Sequence, residues 1–158
     1  MDSKEKIAIG GSLVLMTIFF GAVVLATTSF GVKVPDCITD RKPFEESAII
    51  RIGPNHYEVH SIARMWYFDP FMIEVPPGSE VDLYLTSADV VHGFQIENKN
   101  VNLMAIPGQV NYAKVKFEKE GEYRIVCHEY CGINHQTMAG VVKVQPIVES
   151  AAEEGSNQ

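Results

Sequence analysis

The stretch Gly121-Glu122-Tyr123-Arg124-Ile125-Val126-Cys127 runs directly into His128-Glu129-Tyr130-Cys131-Gly132-Ile133-Asn134-His135-Gln136-Thr137-Met138. In its first part Tyr123, Ile125 and Cys127 alternate with Arg124 and Val126, the period-two pattern of a strand with one buried face. A further short strand starts near Gly140, with Val142 and Val144 on one side. Between the two strands lie two thiols, the imidazoles of His128 and His135, and a thioether. The donors therefore sit on a loop at one end of a β structure.

The same alternation recurs upstream. Val81, Leu83 and Leu85 alternate with Asp82, Tyr84 and Thr86, and Val115 and Phe117 with Lys114, Lys116 and Glu118. Pro76-Pro77-Gly78, Pro107-Gly108 and Glu120-Gly121 separate these runs. Short alternating runs at regular spacing predict an all-β sandwich or barrel over residues 56–148. No amphipathic helix of useful length interrupts it. His92 lies just before the apolar strand Gly93–Ile96. In a Greek-key arrangement that distant strand end can meet the Cys127–Met138 loop.

Two thiolates, two imidazoles and a thioether are soft donors, which favour copper or zinc over magnesium or calcium. A structural Cys₂His₂ zinc site is tetrahedral and uses no methionine. Met138, three residues past His135, is the thioether typical of copper electron-transfer sites. A mononuclear copper site needs one cysteine. A second thiolate allows two copper ions to be bridged, each with one further histidine, so that one electron hole is shared and each bond changes little on reduction. Zinc is the competing occupant.

Further out, no charged residue occurs from Ile7 to Val32, and Lys6 and Lys33 bracket the run. At 1.5 Å per residue it reaches roughly 39 Å, more than the hydrocarbon core of a bilayer. A cleaved signal peptide would have a shorter apolar region, and Ala26-Thr27-Thr28 is a poor cleavage site. We therefore expect an uncleaved transmembrane helix over 7–32, after a flank at 1–6. Gly10, Thr17, Gly21 and Thr28 form a small-residue stripe along it, of a kind that lets another helix approach. Lysines and arginines on both sides leave the orientation undecided by charge. The net charge is −7, all of it after the helix, which argues against nucleic acid as a partner. Residues 33–55, with Pro35, Pro43 and Pro54, read as a linker. The acidic, small-residue tail 149–158 reads as disordered. The three cysteines do not form a disulfide framework.

The residues from Tyr57 to Gln145 resemble subunit II of heme–copper terminal oxidases, in its binuclear copper domain. The pattern is Cys127-x-Glu129-x-Cys131-Gly132-x-x-His135-x-x-Met138, preceded by Ser87-x-Asp89-Val90-x-His92-x-Phe94. The resemblance implies a cupredoxin Greek-key barrel that transfers electrons from cytochrome c to a heme in subunit I, where O₂ is reduced to water. It implies that Cys127 and Cys131 bridge two copper ions. His92 and His135 each bind one copper, and Met138 and the backbone carbonyl of Glu129 are weak ligands. The single helix is more similar to the short form in the B family of these oxidases than to the commoner two-helix form. Ile73-Glu74-Val75-Pro76 and Gly121-Glu122-Tyr123-Arg124-Ile125 fit that subgroup. It implies a single-pass protein of a prokaryotic cell membrane, with the copper domain on the outer side. Glu129 departs from the short forms, which more often carry Gln. In two-helix forms this carboxylate binds Mg²⁺, so magnesium at Glu129 stays open.

Trp66, the lone tryptophan, is either part of a core aromatic cluster in Met65-Trp66-Tyr67-Phe68 or, by the resemblance, the entry point for electrons. Asp89 is either a turn carboxylate or a partner that orients an imidazole. His128 reads as solvent-facing or as a hydrogen-bond partner, His56 and His60 as ordinary strand or turn histidines, and Cys37 as an incidental thiol. Nitrous-oxide reductase carries the same copper pair but needs a large further domain. A thioredoxin-like copper-delivery protein would alternate helices with strands. A quinol-oxidase subunit II would lack the ligand set present here.

Overall fold

The computed structural model describes residues 2–30, the backbone of 36–38, and 41–146. They form two units, divided between Val34 and Pro35.

The first unit is helix α1, Ser3–Ser29. It is long and apolar enough to cross a membrane. It starts earlier than the apolar run predicts because Asp2 and Glu5 form a capping box. Asp2 accepts from Ser3 N at 2.6 Å, and Glu5 accepts from Asp2 N at 2.8 Å. Such a box satisfies backbone donors that the first turn leaves free. Thr17 and Thr28 turn their hydroxyls back onto the carbonyls of Leu13 and Val24. No side-chain polar group of the stripe is left to be satisfied by lipid.

The second unit is β. One sheet orders β1(Asp36–Ile38), β9(Val110–Phe117), β6(Ser79–Ser87), β3(His56–Arg64) and β2(Ala48–Gly53), with β4(Tyr67–Asp69) also on β3. The other orders β5(Met72–Val75), β11(Ala139–Val144), β10(Gly121–Val126), β7(His92–Ile96) and β8(Val101–Ala105). The pairs β3–β6 and β5–β11 are parallel, so the chain crosses between sheets rather than meandering. This is the all-β architecture that the alternating runs predict. Val81, Leu83 and Leu85 of β6 point inward, as do Val142 and Val144 of β11. Phe68 and Phe94 meet edge to face at 5.0 Å in the centre. Emptying either position would cost about 3–5 kcal/mol.

The stretch expected to be a linker, 33–55, is corrected here. It contributes β1 and β2, and residues 41–47 are strapped onto the sheet. The Arg41 guanidinium lies 3.8 Å over the Tyr84 ring, Phe44 stacks on His60 at 4.7 Å, and Ser47 donates to Asp69 at 2.6 Å. β2 is an edge strand whose Ile49, Ile50 and Ile52 all remain exposed. With neither face buried it has no alternation to read. The expected disordered tail and the side chain of Cys37 lie outside the described residues.

Candidate metal centre

Three connections gather at one end of the sandwich: the β3–β4 turn with Met65 and Trp66, the β6–β7 connection with Asp89, and the long β10–β11 loop. The loop is closed at its base, where Cys127 N donates to Met138 O at 3.3 Å. Inside it, His135 N donates to Gly132 O at 3.1 Å and Met138 N to His135 O at 3.1 Å, which wind a 3₁₀ turn over His135–Thr137. Gly132 has φ +123°, a conformation that side chains disfavour. The turn reverses the chain and brings His135 and Met138 back over Cys131.

The sulfurs of Cys127 and Cys131 lie 3.7 Å apart, as free thiols. His135 Nδ1 is 3.6 Å from Cys131 Sγ, and Met138 Sδ is 3.7 Å from it. The carbonyl oxygen of Glu129 is 3.2 Å from Cys127 Sγ, while the Glu129 side chain is exposed. From the neighbouring strand β7 of the same sheet, His92 brings a ring nitrogen within 4.8 Å of both thiols. The six residues expected as ligands are thus held at one end of the fold by two separate segments.

His92 is fully buried, and its two nitrogens are used differently. Nε2 hydrogen-bonds Asp89 Oδ1 at 2.7 Å, whereas Nδ1 is buried with no partner. A buried polar atom without a partner is costly. A cation bound by Nδ1 and the two sulfurs would satisfy it, so the donor set fits a soft metal. Burial pushes the Cys131 thiol up to about 11, helped by the hydrogen bond and charge of Cys127. Metals take up thiolates rather than thiols, so an ion here displaces protons.

Asp89 is both things the sequence left open. It holds His92, and it also accepts from Met65 N at 2.7 Å and Val90 N at 2.6 Å. Burial opposes its charge, but these hydrogen bonds outweigh burial and hold its carboxyl below the usual range. Trp66 is partly buried. It packs against the core cluster, and its indole lies on Gly132, where an added methyl would meet Nε1 at 3.0 Å. Trp66 therefore touches the loop at the residue after Cys131. His56 and His60 pair with Asp82 and Glu58 on the outer face of the first sheet, away from this loop.

Sequence reasoning has Ser87 in the pattern without a role for it and gives none to Gly93. Ser87 Oγ donates to Val90 O at 2.5 Å and so shapes the turn that carries Asp89. The spacing Ser87-x-Asp89 is a turn signal that could have shown it. Gly93 is covered by the His128 ring, so His128 is more than solvent-facing. Exposed apolar side chains, among them Met65, Val90, Val91, Tyr130 and Ile133, lie on the same three connections.

Comparison with known proteins agrees with this geometry. Residues 54–145 match the family described as cytochrome c oxidase subunit II, periplasmic domain. A cytochrome c oxidase subunit 2 from Thermus thermophilus is 37% identical over 153 residues, covering 89% of this chain and 91% of the relative. A chain in the cryo-EM structure of a heme-copper terminal oxidase dimer superimposes with a TM-score of 0.82 at 45% identity, covering 90% of this chain and 99% of that one. The periplasmic domain of subunit II from Bradyrhizobium japonicum, at 24% identity and a TM-score of 0.52, shares the fold.

Proposed function

Since the chain belongs to the cytochrome c oxidase subunit II family, and so is a subunit of a heme–copper terminal oxidase, we propose that its β domain binds two copper ions and passes single electrons from cytochrome c to a heme of subunit I. The observation that carries this reading is the buried, partnerless Nδ1 of His92 beside two free thiols. Copper there would supply a one-electron couple.

The chain's own residues do the rest. Cys127 and Cys131 would hold both ions, and His92 and His135 would each hold one. Met138 and the carbonyl of Glu129 complete the set as weak donors. Asp89 fixes the ring of His92, because its carboxylate accepts the hydrogen bond from Nε2–H and leaves the Nδ1 lone pair to bind metal. The β sandwich keeps water from the thiols, and Trp66 relays electrons from the surface to Cys131 through its contact with Gly132. The helix anchors the subunit as a single pass in a prokaryotic cell membrane, with the β domain on the outer side. Glu129 serves through its carbonyl alone. Glu129→Gln should therefore leave copper spectra and turnover nearly intact, and Mn²⁺ added in place of Mg²⁺ to the oxidase should give no spin signal that depends on Glu129. Detecting that signal would assign a magnesium site to the carboxylate.

The full chain, purified in detergent and loaded with copper, tests the whole reading. We expect two coppers per chain, a purple oxidised form and electron-spin hyperfine splitting from two equivalent nuclei. Splitting from one nucleus, or stoichiometric zinc in protein from copper-replete cells, would refute it.

A further inference from the structure

Strands β7 and β10 pair Ile96 with Ile125 and Gln95 with Val126. Continuing that register sets Phe94 opposite Cys127 and Gly93 opposite His128. Strand β10 ends at Val126, so no ladder pairing holds these last rungs. The His128 ring takes its place. A methyl group built on Gly93 would lie 2.6 Å from His128 Cγ and Nδ1 and 2.7 Å from Cε1. The ring is therefore seated directly on the bare backbone of Gly93. Its other side is open, since His128 is exposed while Gly93 is buried.

The neighbours of this contact are the metal-site residues themselves. Gly93 follows His92, and His128 follows Cys127. An aromatic ring laid across a glycine on the neighbouring strand covers exposed backbone and fixes the spacing of the two chains. We propose that His128 is a positioning residue whose ring, seated on Gly93, sets the separation of His92 from Cys127 where the strand ladder has ended. This rests on the copper-site reading above. The ring acts through its flat shape, so any planar side chain of similar size serves, and any side chain on Gly93 unseats it.

The test uses the full chain in detergent, loaded with copper, with release to a chelator followed by loss of the visible absorption. Supporting residues of a metal site typically change affinity 10–100-fold, so His128→Ala and Gly93→Ala should each release copper about tenfold faster. Both should make the hyperfine splitting from the two nuclei unequal. His128→Phe should behave as the natural chain. The double variant Gly93→Ala/His128→Ala should be no worse than either single one, because both lose the same contact. The unfolding midpoint of each metal-free single variant should fall by less than roughly 5 °C, as expected for a surface contact. A natural release rate in His128→Ala, additive losses, a larger fall in the midpoint, or release from His128→Phe as fast as from His128→Ala would each overturn the proposal. A natural chain that takes up no copper overturns the copper reading instead. The same double-variant cycle on metal-free unfolding midpoints then decides whether the ring holds the two segments: non-additive losses support it, additive losses refute it.

Discussion

Met138 Sδ lies 3.7 Å from Cys131 Sγ, the same distance that separates the two thiols. Equal distances do not make equal ligands. A thioether is a weak donor that tunes a copper site, whereas a bridging thiolate holds it together. Met138→Leu should keep both coppers and shift the reduction potential, while Cys131→Ser should lose the pair. Metal analysis with a redox titration separates the two, and equal copper loss would reverse this ranking. Asp89→Asn leaves one uncharged acceptor oxygen where two charged ones now accept from His92 Nε2, Val90 N and Met65 N. Copper should then leave about tenfold faster, measured by competition with a chelator, with both thiols still present. At this scale the sequence is informative: donor softness and spacing alone single out Cys127, Cys131, His135 and Met138 as one set. It is silent on Gly93 and Gly132. Their role is to lack a side chain where the His128 ring and the Trp66 indole arrive, and those arrivals depend on the fold.

Strands β3, β6 and β9 carry a row of ionisable groups on the outer face of the first sheet. His56 Nε2 and Tyr112 Oη both bond Asp82, at 2.7 and 2.5 Å, and Lys114 lies 3.5 Å from it. Burial disfavours the charged form of Asp82, but hydrogen bonds from Tyr112 and His56 outweigh it and lower its pKa. Glu58 is lowered in the same balance of burial against His60 and Arg41. Burial and the hydrogen bond to Asp82 push Tyr112 well above the usual phenol range. A carboxylate with a depressed folded pKa adds stability above its unfolded pKa and loses it as pH falls through the folded value. The metal-free chain should therefore be flat in stability near neutrality and weaken below about pH 4. Asp82→Asn should lower the neutral plateau and flatten the acid limb. Thermal unfolding at several pH values checks this, and an unchanged acid limb would remove Asp82 from the account. Element by element, strands with one buried face are legible in the sequence and β2 is not. Its isoleucines look like part of a linker because an edge strand with both sides open carries no period.

The whole chain is acidic, at −7, which favours long-range attraction of a basic electron carrier. Around Trp66, however, the nearest charges in sequence are Arg64 and Asp69, one of each sign, and the exposed neighbours include Met65 and Tyr67. Charges beyond ~8–10 Å are screened at physiological salt, so the local apolar rim should govern docking. The rate of electron input should change little with ionic strength. Trp66→Ala should slow input far more than transfer from copper to heme, because it deletes the contact with Gly132 and touches no ligand. Stopped-flow reduction by cytochrome c at two salt concentrations reads both. A steep salt dependence would return the docking to net charge, and a natural rate in Trp66→Ala would move the entry point elsewhere.

The parallel pairing of β11 with β5 joins Val142 to Ile73 and Val144 to Val75 across most of the domain's length. Contacts between residues so distant along a chain form late, since a long loop must close before the pairing returns anything. β11 also anchors the far end of the donor loop, one residue beyond Met138. The strand that holds the loop shut follows Met138 directly in sequence, but its partner β5 lies far upstream. Assembly is ordered in time: β11 must dock on β5 before the loop from Cys127 to Met138 is held shut at both ends.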